Sequence, residues 1–194
     1  MNTLKTKKQL ELLKIARELF WKHGFKRVSI EEVCQKAGVS KMTFYRLYSN
    51  KVELAKAVYD EEVNKGLQSF KAILAKKEEK PSEKIRKILF LKLKGTNDIS
   101  QEFIKDFYDS PELGLKDYIE EKTKEIWNET LNDFRQAQEN GLFRKDFKPE
   151  FYLILTTHIT RMLFDEKLQQ LYDTPQELLL EIANFCVYGI APHE

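Results

Sequence analysis

The stretch "GVSKMTFYRLYSNKVEL" runs from Gly38 to Leu54. It predicts a helix of two turns. Ser40 is a strong N-cap residue, Gly38 before it suits the end of a preceding helix, and Asn50 with Glu53 opens another. On a wheel of about 100° per residue with Phe44 pointing inward, Leu47 and Tyr48 complete a buried stripe. Met42 and Arg46 then point away, flanked by Thr43 and Tyr45, while Lys41 lies at the N-terminus nearer the buried side. So short a helix gains little from its own backbone. Its basic, hydroxyl-bearing, aromatic face suits something outside the protein. Those side chains fit base edges and phosphates in a major groove; the plainer alternative is a solvated face of a helical bundle.

Working outward, Thr6-Lys7-Lys8-Gln9 reads as a capping box ahead of Leu12, Ile15, Ala16, Leu19 and Phe20 at helical spacing, with Gly24 as the stop. A second box, Ser29-Ile30-Glu31-Glu32, opens a helix through Ala37. Three caps in about twenty residues force short helices joined by tight turns, a helix-turn-helix arrangement. The N-termini of the second, third and fourth helices add oriented N–H groups that favour phosphate.

Composition agrees. Hydrophobic residues make up 42% and charged residues 33% of the 194, a globular balance. With only seven glycines and five prolines and little strand-like alternation, the expected class is all-α. The net charge of +2 conceals an asymmetry: residues 1–50 hold 11 Lys/Arg and 4 Asp/Glu (11 − 4 = +7), leaving 22 − 27 = −5 for the remainder. A basic head on an acidic body points to a polyanion partner. Cys34 and Cys186 have no metal-ligand spacing and read as free thiols of a reducing cytosol. No secretory h-region stands at the start, and "LLLEIANFCVYGIA" is broken by Glu181 and Asn184, so neither a signal peptide nor a membrane span is expected.

Beyond Lys51 the predicted helices lengthen. They cover a long run from Val52 to the charged "KKEEK", Pro81 to Lys94 closed by Gly95, a short one near Ile99–Tyr108, and Lys116–Asn140 stopped by Gly141. "SPELGL" is a break or a helix start, because Gly114 weakens a helix interior. Two closing helices follow, near Pro149–Lys167 and Pro175–Tyr188, each with proline at its first position. That makes about nine helices: a three-helix head over residues 1–50 and a larger helical body over 51–194.

"SIEEVCQKAGVSKMTFYRLYSNKVELAKAV" (Ser29–Val58) resembles the DNA-binding domain of the TetR family of bacterial transcriptional regulators. The likeness begins with "ARELFWKHGFKRVSI" (Ala16–Ile30) and covers roughly residues 8–58. The later "ENGLFRKDFKPEFY" (Glu139–Tyr152) is similar to the family's ligand-binding half. The resemblance implies base-facing positions for Lys41, Met42, Thr43 and Arg46. It implies phosphate contacts for Tyr45 and Lys51, and a capping, backbone-touching role for Ser40; Ser29 joins them as a DNA-facing candidate. Two positions depart from the pattern. Leu47 stands where many members carry histidine, and Glu31 where some place a polar or basic reader; a carboxylate there is expected to support its own helix start.

A head of this size reaches one half-site, so pairing is expected, with half-sites about 34–36 Å apart or a multiple of it. Leu178, Leu179, Ile182, Phe185 and Cys186 cover more than one face of the last helix. With Leu155, Ile159 and Met162 of its neighbour they form the expected homodimer seam; the alternative is a helix buried within one chain. The resemblance implies the same arrangement, a four-helix interface from the last two helices of each subunit. It also implies a small-molecule pocket in the body, whose candidates are Phe103, Phe107, Tyr118, Trp127, Phe134, His158 and Arg161. Ordinary core packing is the competing role for each aromatic. No nucleophile elbow, Gly-rich phosphate loop or H-E-x-x-H is present. An enzyme, a cofactor and a metal are therefore not expected. The expectation is a cytoplasmic, homodimeric repressor that leaves operator DNA when it binds a small molecule. The alternatives are an architectural or division-linked DNA binder with a protein partner, and a ligand-binding protein that no longer reads DNA.

Overall fold

The structure, a computed structural model, describes residues 5–76, 78–95, 98–159, 162 and 165–192; for 89, 92, 93, 95, 153, 156, 157 and 159 the backbone alone is described. Regular structure among these residues is helical: α1 (Lys7–His23), α2 (Ile30–Lys36), α3 (Lys41–Leu47), α4 (Lys51–Ala75), α5 (Pro81–Gly95), α6 (Gln101–Tyr108), α7 (Leu115–Glu139), α8 (Pro149–Ile159), α9 (Glu166–Gln169) and α10 (Pro175–Tyr188), with a 3-10 turn at Pro111–Leu113. The all-α expectation holds. The caps lie where the sequence puts them: Thr6, Ser29 and Ser40 each accept a backbone N–H three residues on, at 3.3, 3.1 and 3.2 Å. Asn50 does the same for Glu53 at 2.9 Å.

One helix is divided. Instead of a continuous run over 149–167, α8 is described over Pro149–Ile159 and α9 begins afresh behind Asp165, whose carboxylate accepts from the N–H groups of Lys167 and Leu168 at 2.9 and 3.0 Å. A side chain that caps a new start competes with continuation of the old helix.

The chain forms two compact units, Met1–Asn64 with Asp98–Ile119, and Lys65–Asn97 with Glu120–Glu194. The first extends beyond residues 1–50, because α6 returns to it. α1 buries Leu12, Leu13, Ala16, Leu19, Phe20 and Trp21. Trp21 lies 4.2 Å from the Phe103 ring and Phe103 stacks on Phe107 at 4.3 Å, with Phe20 and Phe25 5.5 Å apart beside them. Each such ring, taken from water, stabilises the unit by about 1.5–3 kcal/mol. Gly24 permits this approach. Its φ of +77° disfavours a side chain, and a Cβ there would stand 2.8 Å from both Asp106 Oδ2 and Glu102 Cβ.

The second unit is built around Ile85, Ile88, Phe134, Leu142, Phe143, Tyr152, Val187 and Ile190, with Trp127 and Cys186 packed against them. Phe134 sits at the centre, 5.3 Å from both Trp127 and Phe143 and 5.5 Å from Tyr152. After Gly141 the loop is tied to the end of α10: the Arg144 N–H donates to the Ile190 carbonyl at 2.9 Å and its Nε to Gly189 at 2.7 Å. No helix among the described residues is long and apolar enough to cross a membrane.

Candidate nucleic-acid interface

α3 is anchored by one side chain. Phe44 is fully buried, and Tyr48 just past the helix packs beside it, ring centroids 6.0 Å apart. The N-terminus is held by Ser40, whose Oγ takes the Thr43 N–H and lies 3.0 Å from the Thr43 hydroxyl. What remains outward is the set read from the sequence. Met42 is 83% exposed, more than any other large hydrophobic side chain described, and Tyr45 is exposed with its ring edge-on to Phe44 at 5.2 Å. Arg46 is exposed and has no ion pair among the described residues. Half-buried Thr43 and exposed Ser29 complete the face at the two helix starts.

The lysines are less free. Lys36 pairs with Glu32 at 3.1 Å along α2, and Lys41 pairs with Glu31 across the turn. Glu31 is held below the ordinary carboxylate range, first by the Lys41 ammonium and then by its own backbone N–H. The one carboxylate thus serves both the α2 start and a bond into α3.

Lys51 corrects the sequence reading. Its ammonium turns inward, donating to the carbonyls of Val28 at 2.7 Å, Phe25 at 2.8 Å and Lys26 at 3.4 Å, and it lies 4.3 Å from the centre of the Phe25 ring. An ammonium has three N–H bonds, and here all three are engaged, so none is left for a phosphate. Burial holds the group below the usual lysine range, with Asp106 opposing that effect. From the other side Asp106, 6% exposed, accepts the Lys26 N–H at 2.8 Å. Lys51 and Asp106 therefore clamp the α1–α2 loop that leads into Ser29. Sequence reasoning missed Asp106: an acid on an amphipathic helix looks solvated until its distant partner is known.

The pocket candidates fall in both units. Phe103 and Phe107 are core of the first unit. Tyr118 belongs to the same unit and donates its hydroxyl to the Asp60 carboxylate at 2.7 Å. Both line a polar cleft of about 370 Å³ beside Leu47 at the end of α3. Trp127 and Phe134 belong to the second unit's core, His158 is exposed on α8, and Arg161 lies outside the described residues.

The seam candidates also divide. Leu178 is 3% exposed within its own chain and cannot face a partner, because it points back into its unit with Val187. Phe185 is 73% exposed; Leu155 and Met162 are exposed, while Leu179, Ile182 and Cys186 are half-buried. Of Ile159 only the backbone is described. Phe151, Ile154 and Tyr188 add exposed apolar surface on the same two helices.

Residues 12–58 match the family model described as bacterial regulatory proteins, tetR family. No curated protein matches the sequence. Among solved structures, the chain is similar to the regulatory protein TetR from Rhodobacter sphaeroides, at 15% identity and a TM-score of 0.67 over 96% of this chain and 100% of that one. Reduced NemR from E. coli gives 16% and 0.67 over 97% and 100%. The fatty acid degradation regulator FadR from Bacillus halodurans gives 15% and 0.66 over 95% and 97%. At such identities the likeness to solved structures speaks for the fold, and it is the head, residues 12–58, that carries the domain of the tetR family of bacterial regulatory proteins.

Proposed function

We propose that this protein is a cytoplasmic, homodimeric transcriptional repressor that binds operator DNA through α3 and is released by a small molecule. The observation that carries the reading is the outer face of α3. Met42, Tyr45 and Arg46 stand exposed on a helix whose own packing rests on Phe44 alone. A major groove accepts such a helix and offers acceptors, donors and thymine methyl groups to those side chains. Tyr45 and the N–H groups at the starts of α2, α3 and α4 hold phosphates, and Lys41, Met42, Thr43 and Arg46 face base edges. Ser29 and Ser40 act by capping.

Dimerisation follows from the apolar surface on α8 and α10. Phe151, Ile154, Leu155, Phe185 and Tyr188 are exposed, and apolar side chains left in water in such number favour an association site. A second copy covers it and sets two α3 helices about 34–36 Å apart or a multiple of it. The effector belongs with the second unit, where Trp127 packs at the edge of the aromatic core. A coupling of about 1–3 kcal/mol between effector and operator weakens DNA binding 5–150-fold.

Footprinting of the full chain on the DNA upstream of its own coding sequence tests this reading. The expected result is protection of two related half-sites, lost as salt rises. Failure to protect any sequence at low salt refutes operator binding. Protection of scattered sites that answer only to a protein partner favours an architectural binder instead.

A further inference from the structure

Glu31 has a place in the head that the capping of its own helix does not explain. It is the second residue of α2, and its carboxylate bonds to the ammonium of Lys41, the first residue of α3. The two helix starts are thereby joined by one acid and one base. Both side chains are well exposed, Lys41 to 55% and Glu31 to 61%, so the pair can turn outward without disturbing the core. N-terminal residues of a recognition helix are the ones that reach base edges.

An isolated carboxylate on a face that meets phosphate would be repelled. Paired with Lys41 it is neutral overall, and the pair offers something neither member offers alone. An ammonium only donates and a carboxylate only accepts, so the two together present donors beside an acceptor. We propose that Glu31 and Lys41 act as a single reading element for one G·C base pair in each half-site.

The match follows from the major-groove edges. Guanine presents N7 and O6, both acceptors, to Lys41, and cytosine presents its N4–H donor to Glu31. With adenine in guanine's place the pair fails twice, adenine setting its N6–H donor against the ammonium and thymine its O4 acceptor against the carboxylate; with thymine there, Lys41 meets one acceptor and a methyl group where guanine offers two acceptors. Discrimination therefore comes from both members, and loss of either removes most of it. A second consequence concerns salt. Because Lys41 reaches the duplex already paired, it displaces few counterions. Removing the carboxylate frees it for phosphate and steepens the log–log salt slope by roughly 0.9 per half-site.

The inference rests on the DNA-binding reading above, and one experiment separates the two. The full-length wild type, Glu31→Gln, Lys41→Gln and the double variant are each used to select duplexes from a pool of random sequence. Circular dichroism checks the fold of each, and binding to the enriched duplex is measured across salt. The wild type is expected to enrich a G·C pair at one position of each half-site. Both single variants lose that preference by roughly 5–150-fold, at that position alone, and the double variant loses no more than either single one. Glu31→Gln also binds unrelated DNA with the steeper salt slope. The proposal is overturned if every enriched position survives both changes, if the two changes relax different positions, or if Glu31→Gln strengthens all duplexes equally. A folded wild type that enriches no sequence overturns the regulator reading and this pair with it.

Discussion

Of the helices that leave hydrophobic side chains in water, α3 and α10 do so differently. α3 has seven residues and buries only Phe44; what it exposes is mixed, with Met42 and Tyr45 beside Arg46 and Thr43. α10 has fourteen residues, buries Leu178 and Val187 on one side, and exposes Phe185 and Tyr188 on another. A thioether, a phenol and a guanidinium together address polar edges that carry methyl groups and phosphates. Phenylalanine at 73% exposure addresses only another apolar surface. The same physical quantity, area left unburied by the chain itself, thus points to nucleic acid in one case and to a second copy in the other.

The largest expected effect breaks the α10 side. Phe185→Asp, combined with Phe151→Asp, is expected to give a folded monomer by sedimentation whose affinity for operator falls about a thousandfold or more, towards that of non-specific DNA. A variant that remains dimeric locates the seam elsewhere. Next comes the anchor of α3. Phe44→Ala empties a fully buried site and is expected to cost about 3–5 kcal/mol in thermal unfolding, where Met42→Ala costs almost nothing.

Lys51→Met sharpens the contrast between scaffold and reading face. It leaves the carbonyls of Phe25, Lys26 and Val28 without their donor and is expected to destabilise by about 1–3 kcal/mol. The salt slope of DNA binding should stay unchanged. A slope shallower by roughly 0.9 per chain would place the ammonium on phosphate instead. Ser40→Ala removes one cap bond and should cost about 1 kcal/mol. The smallest effect is on titration. Because Lys41 lowers the pKa of Glu31, the pair's contribution is complete above the ordinary carboxylate value and fades as pH falls through the lowered one. Carboxyl NMR should show that lowered midpoint, and Lys41→Gln should return it towards the ordinary value.

What could be read from the sequence was local. Thr6, Ser29, Ser40 and Asn50 each bond three residues ahead, so spacing alone exposes them, and Phe44 follows from helical periodicity. What could not be read depends on distance along the chain. The Lys51 carbonyls lie 23 to 26 positions away, and Asp106 meets Lys26 across 80. Nothing in the neighbourhood of either residue separates a clamp from a solvated charge. Phe103 and Phe107 mislead for the same reason: their position after α5 suggests the body, whereas apolar burial against Trp21 and Phe20 draws α6 back to the head. Leu178 illustrates a third case, a helix apolar on several faces, where periodicity does not say which face the chain keeps for itself.

Hydrogen exchange of the full-length chain with and without duplex carrying its footprinted site tests most directly whether the face of α3 meets DNA. The expected result is slowed exchange at residues 29–33 and 40–47, present at low salt and lost at high salt, with α8 and α10 unchanged. Slowing confined to α8 or α10, with α2 and α3 unaffected, would contradict it.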